Sequence, residues 1–237
     1  IVERPLTLDD VGDSRAAAAT LAAQRPLWRP GSAFGYHAIT IGILNGIDAI
    51  EFDQRRILGH VHGGTLGWLT LAVFAASLWL FGEGKPLTQR ERMFARWLAV
   101  GAIVAFAAYV LAFSLTYGNW RPVLGTISTI VIAGQFLWVL ARARGVELGV
   151  PHWGFLAALG TSIVGGILGI LWGLQLATGD KYLPTDGEGA HPATMVVGFL
   201  VPVGLAMAEW AFFFPVPPKA TRLGVLQMAF PFVGGMI

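Results

Sequence analysis

Two short segments of this chain place the same chemistry-bearing residues at the same spacing. They are Gly59-His60-Val61-His62-Gly63-Gly64-Thr65-Leu66-Gly67-Trp68 and Ala190-His191-Pro192-Ala193-Thr194-Met195-Val196-Val197-Gly198-Phe199. Each sets a histidine at the start of a long apolar run, a glycine seven residues on, and an aromatic residue after that. Seven residues is almost two helical turns, so His60 shares a helix face with Gly67, and His191 with Gly198. Gly64 adds to the bare surface beneath His60, and an imidazole above side-chain-free backbone leaves room for a flat ligand ring. A neutral imidazole also binds a metal through one nitrogen while a carbonyl or carboxylate holds the other. His62 lies about 200° around the helix from His60, so one partner does not take both. The favoured pair is therefore His60 and His191, with His62 as the third candidate. The competing expectation for each is a histidine solvated at the membrane interface.

The elements that must position these residues follow from composition. Of 237 residues, 55% are hydrophobic and only 13% charged, the mean hydropathy is +0.63, and nine are Trp. A soluble domain carries about a quarter charged residues, so the chain is an integral membrane protein. The expected fold is all-α, a polytopic transmembrane bundle of about six to seven helices. The net charge of +2 does not point to nucleic acid, because the basic residues lie in short loops. The absence of cysteine excludes disulfides, iron–sulfur clusters and thiolate metal ligands.

Apolar runs long enough to span a bilayer fall at Leu58–Phe81, Ala95–Tyr117, Val123–Leu140, Trp153–Ala177 and Ala193–Phe214. A weaker span, Ala33–Ile50, is interrupted by His37, Asn45 and Asp48, and Ala220–Ile237 is a short seventh. Residues 1–30 read as a surface segment with a helical patch at Ala16–Ala23, and residues 31–237 as the transmembrane domain. The first residue is Ile, and the chain stops inside the apolar run Met228–Ile237, so the expectation is a piece of a longer protein. Basic residues collect in three alternate loops, at Lys85, Arg90, Arg92 and Arg96, at Arg142 and Arg144, and at Lys219 and Arg222. The positive-inside rule makes that side, and the N-terminus, cytoplasmic, with the bacterial inner membrane as the expected location. His60, His62 and His191 then lie near the outer face, with His37 and His152 on the other side.

The two histidine segments sit four helices apart, which suggests an internal four-helix repeat of parallel topology. The run Gly59 to Leu71, with His-x-His followed by Gly-Trp at a helix start, resembles the second-helix signature of the haem–copper oxidase subunit I superfamily and its shorter relatives. The pair His191-Pro192 is similar to that superfamily's sixth-helix ligand. The resemblance implies a four-helix repeat and a b-type haem with His60 and His191 as ligands, Gly64, Gly67 and Gly198 making room for the macrocycle. It implies electron transfer or a response to dioxygen or nitric oxide, in contact with lipid and with other subunits of a membrane redox complex. The chain departs from the family at Ala193-Thr194-Met195, where an acidic or hydrogen-bonding residue and a Tyr are expected. Ala220–Ile237 also lacks the adjacent histidines of the oxidase copper site, so that copper centre is not supported.

Several other residues carry weaker signals. Asp48 reads as a helix boundary with Glu51 and Asp53, His152 as a surface residue after Pro151, and Glu209 as a snorkelling side chain or proton relay. Gly165, Gly169 and Gly173 form a small-residue ridge suited to helix packing. Trp68, Trp97, Trp120, Trp153 and Trp210 read as an aromatic belt, and the loop Thr178–Ala190 is long enough to cap an outer site. Two other functions stay open: a transporter or channel using Asp48, His37 and Glu209, and a non-catalytic subunit of a redox or photosynthetic complex. A retinal protein is excluded, since Lys85, Lys181 and Lys219 all lie in loops. Whether the protein is an enzyme is left open.

Overall fold

The computed structural model describes residue 47 and residues 53–82, 87–115, 119–184, 187–213 and 218–236. Among the described residues the chain forms six helices: α1 (Gln54–Leu80), α2 (Gln89–Leu115), α3 (Trp120–Ala143), α4 (Val150–Thr178), α5 (Gly187–Phe213) and α6 (Arg222–Gly234). The described residues contain no strand, only an isolated bridge between Gly149 and Lys219. Helices α1 to α5 are each long and apolar enough to cross a membrane and fall on the five strong spans expected from the sequence. Helix α6 has 13 residues where a crossing takes about 20. The segment 1–30 and the weak span Ala33–Ile50, with His37 and Asp48, lie outside the described residues.

Lipid is the solvent that this surface fits. Only 28% to 39% of each spanning window is buried inside the bundle. Val100, Ile103 and Val104 on α2, Ile127, Ile130 and Leu137 on α3, and Ile167 and Leu176 on α4 all face outward. So continuous an apolar surface is incompatible with water around a monomer. Inside, α4 packs against α3, α5 and α6 and touches α1, while α2 packs against α1 and α3. The core between them is filled by Phe74, Phe81, Phe106, Phe155, Leu159 and Phe199. Helix α4 owes its clean ends to Pro151 in its first turn and to Gly179 after its last, where φ of +80° suits a residue without Cβ.

Several polar side chains inside the bundle are spent on backbone carbonyls. At the end of α1, Arg142 Nε donates to the Phe81 carbonyl at 3.0 Å, and its Nη1 reaches Glu91 Oε1 at 3.2 Å. His152 accepts from the Gly149 N–H at Nδ1, 3.0 Å away, so its proton sits on Nε2 and is donated to the Leu80 carbonyl at 3.3 Å. Two expectations are corrected here. Arg142 is not a loop charge and His152 is not a surface residue: they are 2% and 3% exposed. Carbonyls at the end of a helix packed in an apolar bundle have no water to turn to, and these two side chains replace it. In the last turn of α1, Gln135 Nε2 donates to Ser77 Oγ at 2.6 Å, tying α3 to α1.

At its other end α1 is capped by Asp53, whose carboxylate accepts from the Arg56 N–H at 2.9 Å. That bond is the main cause that lowers the Asp53 pKa; desolvation opposes it, and the Arg55 and Arg56 charges add to the lowering. A carboxyl with a depressed folded pKa contributes stability above its ordinary value and loses it as pH falls through the folded one. Protection of the Arg56 amide from exchange is thus expected to be constant from neutral pH to about pH 4 and to fall only below it. Replacing Arg142 with Met strands the Phe81 carbonyl and takes one partner from Glu91, whose other oxygen stays bonded to Thr88. It is expected to lower stability in detergent by about 1–3 kcal/mol, measured by thermal or denaturant unfolding, with Glu91→Gln costing less.

Candidate functional site

Helices α1 and α5 share a device that the other described helices lack. In α1 the α-helix Gln54–Gly64 widens into a π-helical segment, Thr65–Thr70, before resuming at Leu71–Leu80. In α5 a short α-helix, Ala190–Ala193, widens in the same way at Thr194–Leu200 and resumes at Val201–Phe213. Local sequence favours both departures. Gly63, Gly64 and Gly67 weaken α1 there, and the Thr70 hydroxyl donates to the Thr65 carbonyl five residues back, at 2.8 Å. In α5, Pro202 has no N–H to give the Gly198 carbonyl, the bond that an α-helix would require. π segments of this kind are frequent at functional sites.

Each π segment begins at a threonine three residues after a histidine, and this fixes the register between the two helices. His62-Gly63-Gly64-Thr65 corresponds to His191-Pro192-Ala193-Thr194, two residues away from the alignment on His60. The packing agrees. The ring that faces His191 is that of His62, with centroids 6.2 Å apart and planes 7° from parallel. The expected pairing of His60 with His191, with His62 turned away, is thereby replaced. The 200° separation of His60 from His62 holds, but the roles are exchanged. His60 is half-buried, and its Nδ1 finds no hydrogen-bond partner among the described residues.

Both paired imidazoles are fixed in the same tautomer. His62 Nδ1 lies 2.8 Å from the Leu58 carbonyl, and His191 Nδ1 lies 2.7 Å from the Gly165 carbonyl. A carbonyl only accepts, so each Nδ1 carries the proton and each Nε2 keeps its lone pair. The rings are held from behind as well. Phe113 lies 4.2 Å from His62 at 17°, Tyr109 meets it edge-on at 5.4 Å, and Trp172 lies 6.4 Å from His191. Arg121 extends the column, its guanidinium 4.7 Å from the Phe113 centroid and its Nη2 donating to the Phe113 carbonyl. A cavity of about 40 Å³ opens beside both histidines, walled by Tyr109, Phe113, Arg121 and Trp172.

The glycines divide by what surrounds them. Gly169 seats His191, since a Cβ there would stand 3.0 Å from the imidazole, and Gly125 seats Tyr109 at 3.3 Å. The expected ridge on α4 is a packing surface: Gly165 receives Met195, Gly169 receives His191, and Gly173 receives Pro122. Gly198 does not open space for a ligand. A Cβ there would collide with Thr161 Cγ2 and stand 3.3 Å from the Gly235 Cα, so it is a contact between α5, α4 and α6. A Cβ added at Gly64 would meet no neighbouring side chain or helix within 4 Å, and Gly67 lies half-buried in the π segment. Glu209 lies half-buried in the last turns of α5, next to Trp210, which stacks on Trp79 at 4.9 Å.

Compared with protein-family models, curated proteins and solved structures, the chain matches none. Its function is therefore read from the site itself. Two substitutions test the division of the glycines by unfolding in detergent. Gly198→Val is expected to cost about 1–3 kcal/mol through overpacking, whereas Gly64→Ala should change stability by no more than about 0.5 kcal/mol.

Proposed function

We propose that this is a membrane-embedded metal-binding protein of oxidase-like type, acting in electron transfer or in the response to dioxygen or nitric oxide, with His62 and His191 as metal ligands. One observation carries the reading: two neutral imidazoles, each with Nδ1 tied to a carbonyl and Nε2 left as a lone pair, line one cavity with their rings parallel and their centroids 6.2 Å apart. Holding the outer nitrogen of a ligating histidine in this way sets its tautomer and raises its basicity.

The group that the resemblance implies is a b-type haem, which supplies one-electron chemistry when bound. The donor pair suits its iron. The space does not suit its ring: a 40 Å³ cavity walled by Phe113, Tyr109 and Trp172 holds an ion or a few waters, not a macrocycle. With the basic loops taken as cytoplasmic, the site lies toward the outer face of a bacterial inner membrane, where another subunit of a redox complex would exchange electrons with it.

The test is metal content. Protein purified from metal-replete cells is expected to carry iron or copper in near-stoichiometric amount by elemental mass spectrometry. His62→Gln and His191→Gln should each abolish it, while His60→Gln retains it. Gly169→Ala, which displaces His191 without removing a ligand, is expected to weaken binding by about 10–100-fold. A metal-free wild-type preparation, or metal retained in both ligand variants, overturns the assignment.

A further inference from the structure

We infer that the opening turns of α2 hold the headgroup of an anionic phospholipid at Arg92 and Arg96, with an acyl chain lying along the helix beyond them. The inference is independent of the histidine pocket. His62 stands in the first half of α1, whereas the opening of α2 meets the far end of α1 through Glu91 and Arg142.

The charges stand where helix chemistry disfavours them. The first turns of a helix carry the positive end of its macrodipole, which favours acidic residues and opposes basic ones. Yet α2 opens with Arg90, Arg92 and Arg96 and a single acid, Glu91. That acid is spent elsewhere. Its Oε2 accepts from the Thr88 N–H and hydroxyl, and its Oε1 accepts from Arg142. Arg92 and Arg96 are exposed, and neither forms an ion pair among the described residues. Arg92 Nε donates to the Leu87 carbonyl at 3.1 Å, which holds its guanidinium at the head of the helix. Residues four apart on a helix have Cβ atoms about 5–6 Å apart, and like charges so placed repel. One phosphate shared by the two guanidiniums replaces that repulsion with two charge-assisted contacts.

The surface beyond the pair fits a lipid and not a free anion. Arg92, Arg96, Val100, Ile103 and Leu111 fall within an arc of about 100° on α2, and all five are exposed. From Arg96 to Leu111 this stripe runs about 22 Å at 1.5 Å per residue. One leaflet contributes about 15 Å of hydrocarbon, so an acyl chain stays on the stripe over its whole depth. Trp97, also exposed, follows the pair directly and suits the boundary between headgroup and hydrocarbon. The positive-inside rule accounts for arginines at this end of the bundle, but not for their alignment with one apolar stripe. An anionic phospholipid matches both parts of the face at once, its net charge meeting the arginines and its chain the valine, isoleucine and leucine.

The experiment titrates the purified full chain, in mild detergent, with phosphatidylglycerol and separately with phosphatidylcholine of the same acyl chains. Bound lipid is read by native mass spectrometry. Phosphatidylglycerol is expected to bind about tenfold or more tightly, because choline already neutralises the other phosphate. Arg92→Gln and Arg96→Gln should each weaken it about fivefold, and the double variant about 25-fold, with phosphatidylcholine unmoved. Arg90→Gln removes the same charge from the same turns, but Arg90 lies more than about 100° around the helix from either residue. It should change the affinity by less than about twofold at physiological salt. Glycerol 3-phosphate, which has the phosphate without the chains, should not displace the lipid at equal concentration. If Arg92→Gln disturbs the helix start, judged by circular dichroism, Arg96→Gln carries the test. Equal affinity for the two lipids, a loss in Arg90→Gln that matches Arg96→Gln, or displacement by glycerol 3-phosphate overturns the inference.

Discussion

The rest of this bundle depends on how the end of α1 disposes of its last carbonyls. In a lipid-facing structure a helix terminus packed among other helices has no water to accept from, and an unmet carbonyl costs more than an ordinary hydrogen bond returns. Here the Leu80 and Phe81 carbonyls receive His152 from the first turn of α4 and Arg142 from the last turn of α3. Arg142 is in turn held by Glu91 in the first turn of α2, itself locked by a reciprocal pair of bonds with Thr88. Four helices thus meet at one terminus. Because a carbonyl accepts along a restricted direction, this fixes the height and rotation of α1 together, and Gln135 with Ser77 reinforces the constraint one turn earlier.

That anchorage gives the two π segments their consequence. A π turn inserts a residue and rotates everything beyond it relative to a continuous α-helix. With the far end of α1 pinned, the rotation is expressed at its beginning, where His62 turns toward α5 and His60 turns aside. Helix α5 carries the same insertion after His191, and its register is held by the close approach of Gly198 to Thr161 and Gly235. The imidazoles meet because both helices depart from α geometry at the same distance from their histidines. A four-helix duplication with parallel topology would produce this correspondence.

What the sequence made legible was whatever depends on local side-chain hydropathy. The five spans stand where long runs such as Val123–Leu140 and Trp153–Ala177 place them, and α6 is as short as Ala220–Ile237 suggests. His191 and the α1 histidine cluster were also visible, because histidines at the start of apolar runs are conspicuous. The partner on α1 was not, since the face of a residue was counted at α-helical pitch and the helix widens at Thr65. The shared threonine three residues after His62 and His191 was the available signal; the glycines seven residues on were the more visible one, and they serve packing or open space. Arg142 and His152 were misplaced for a related reason. Hydropathy marks a charge beside a span as interfacial, and only the packed structure shows the carbonyls that justify burying one.

The histidines divide by how many of their ring nitrogens the fold consumes. His152 gives both to the backbone, accepting from the Gly149 N–H and donating to the Leu80 carbonyl, and so has nothing left with which to bind. His62 and His191 each surrender only Nδ1, to the Leu58 and Gly165 carbonyls. Two such residues, held in the same tautomer with their rings parallel beside one small cavity, keep at Nε2 the acceptor that His152 has given up.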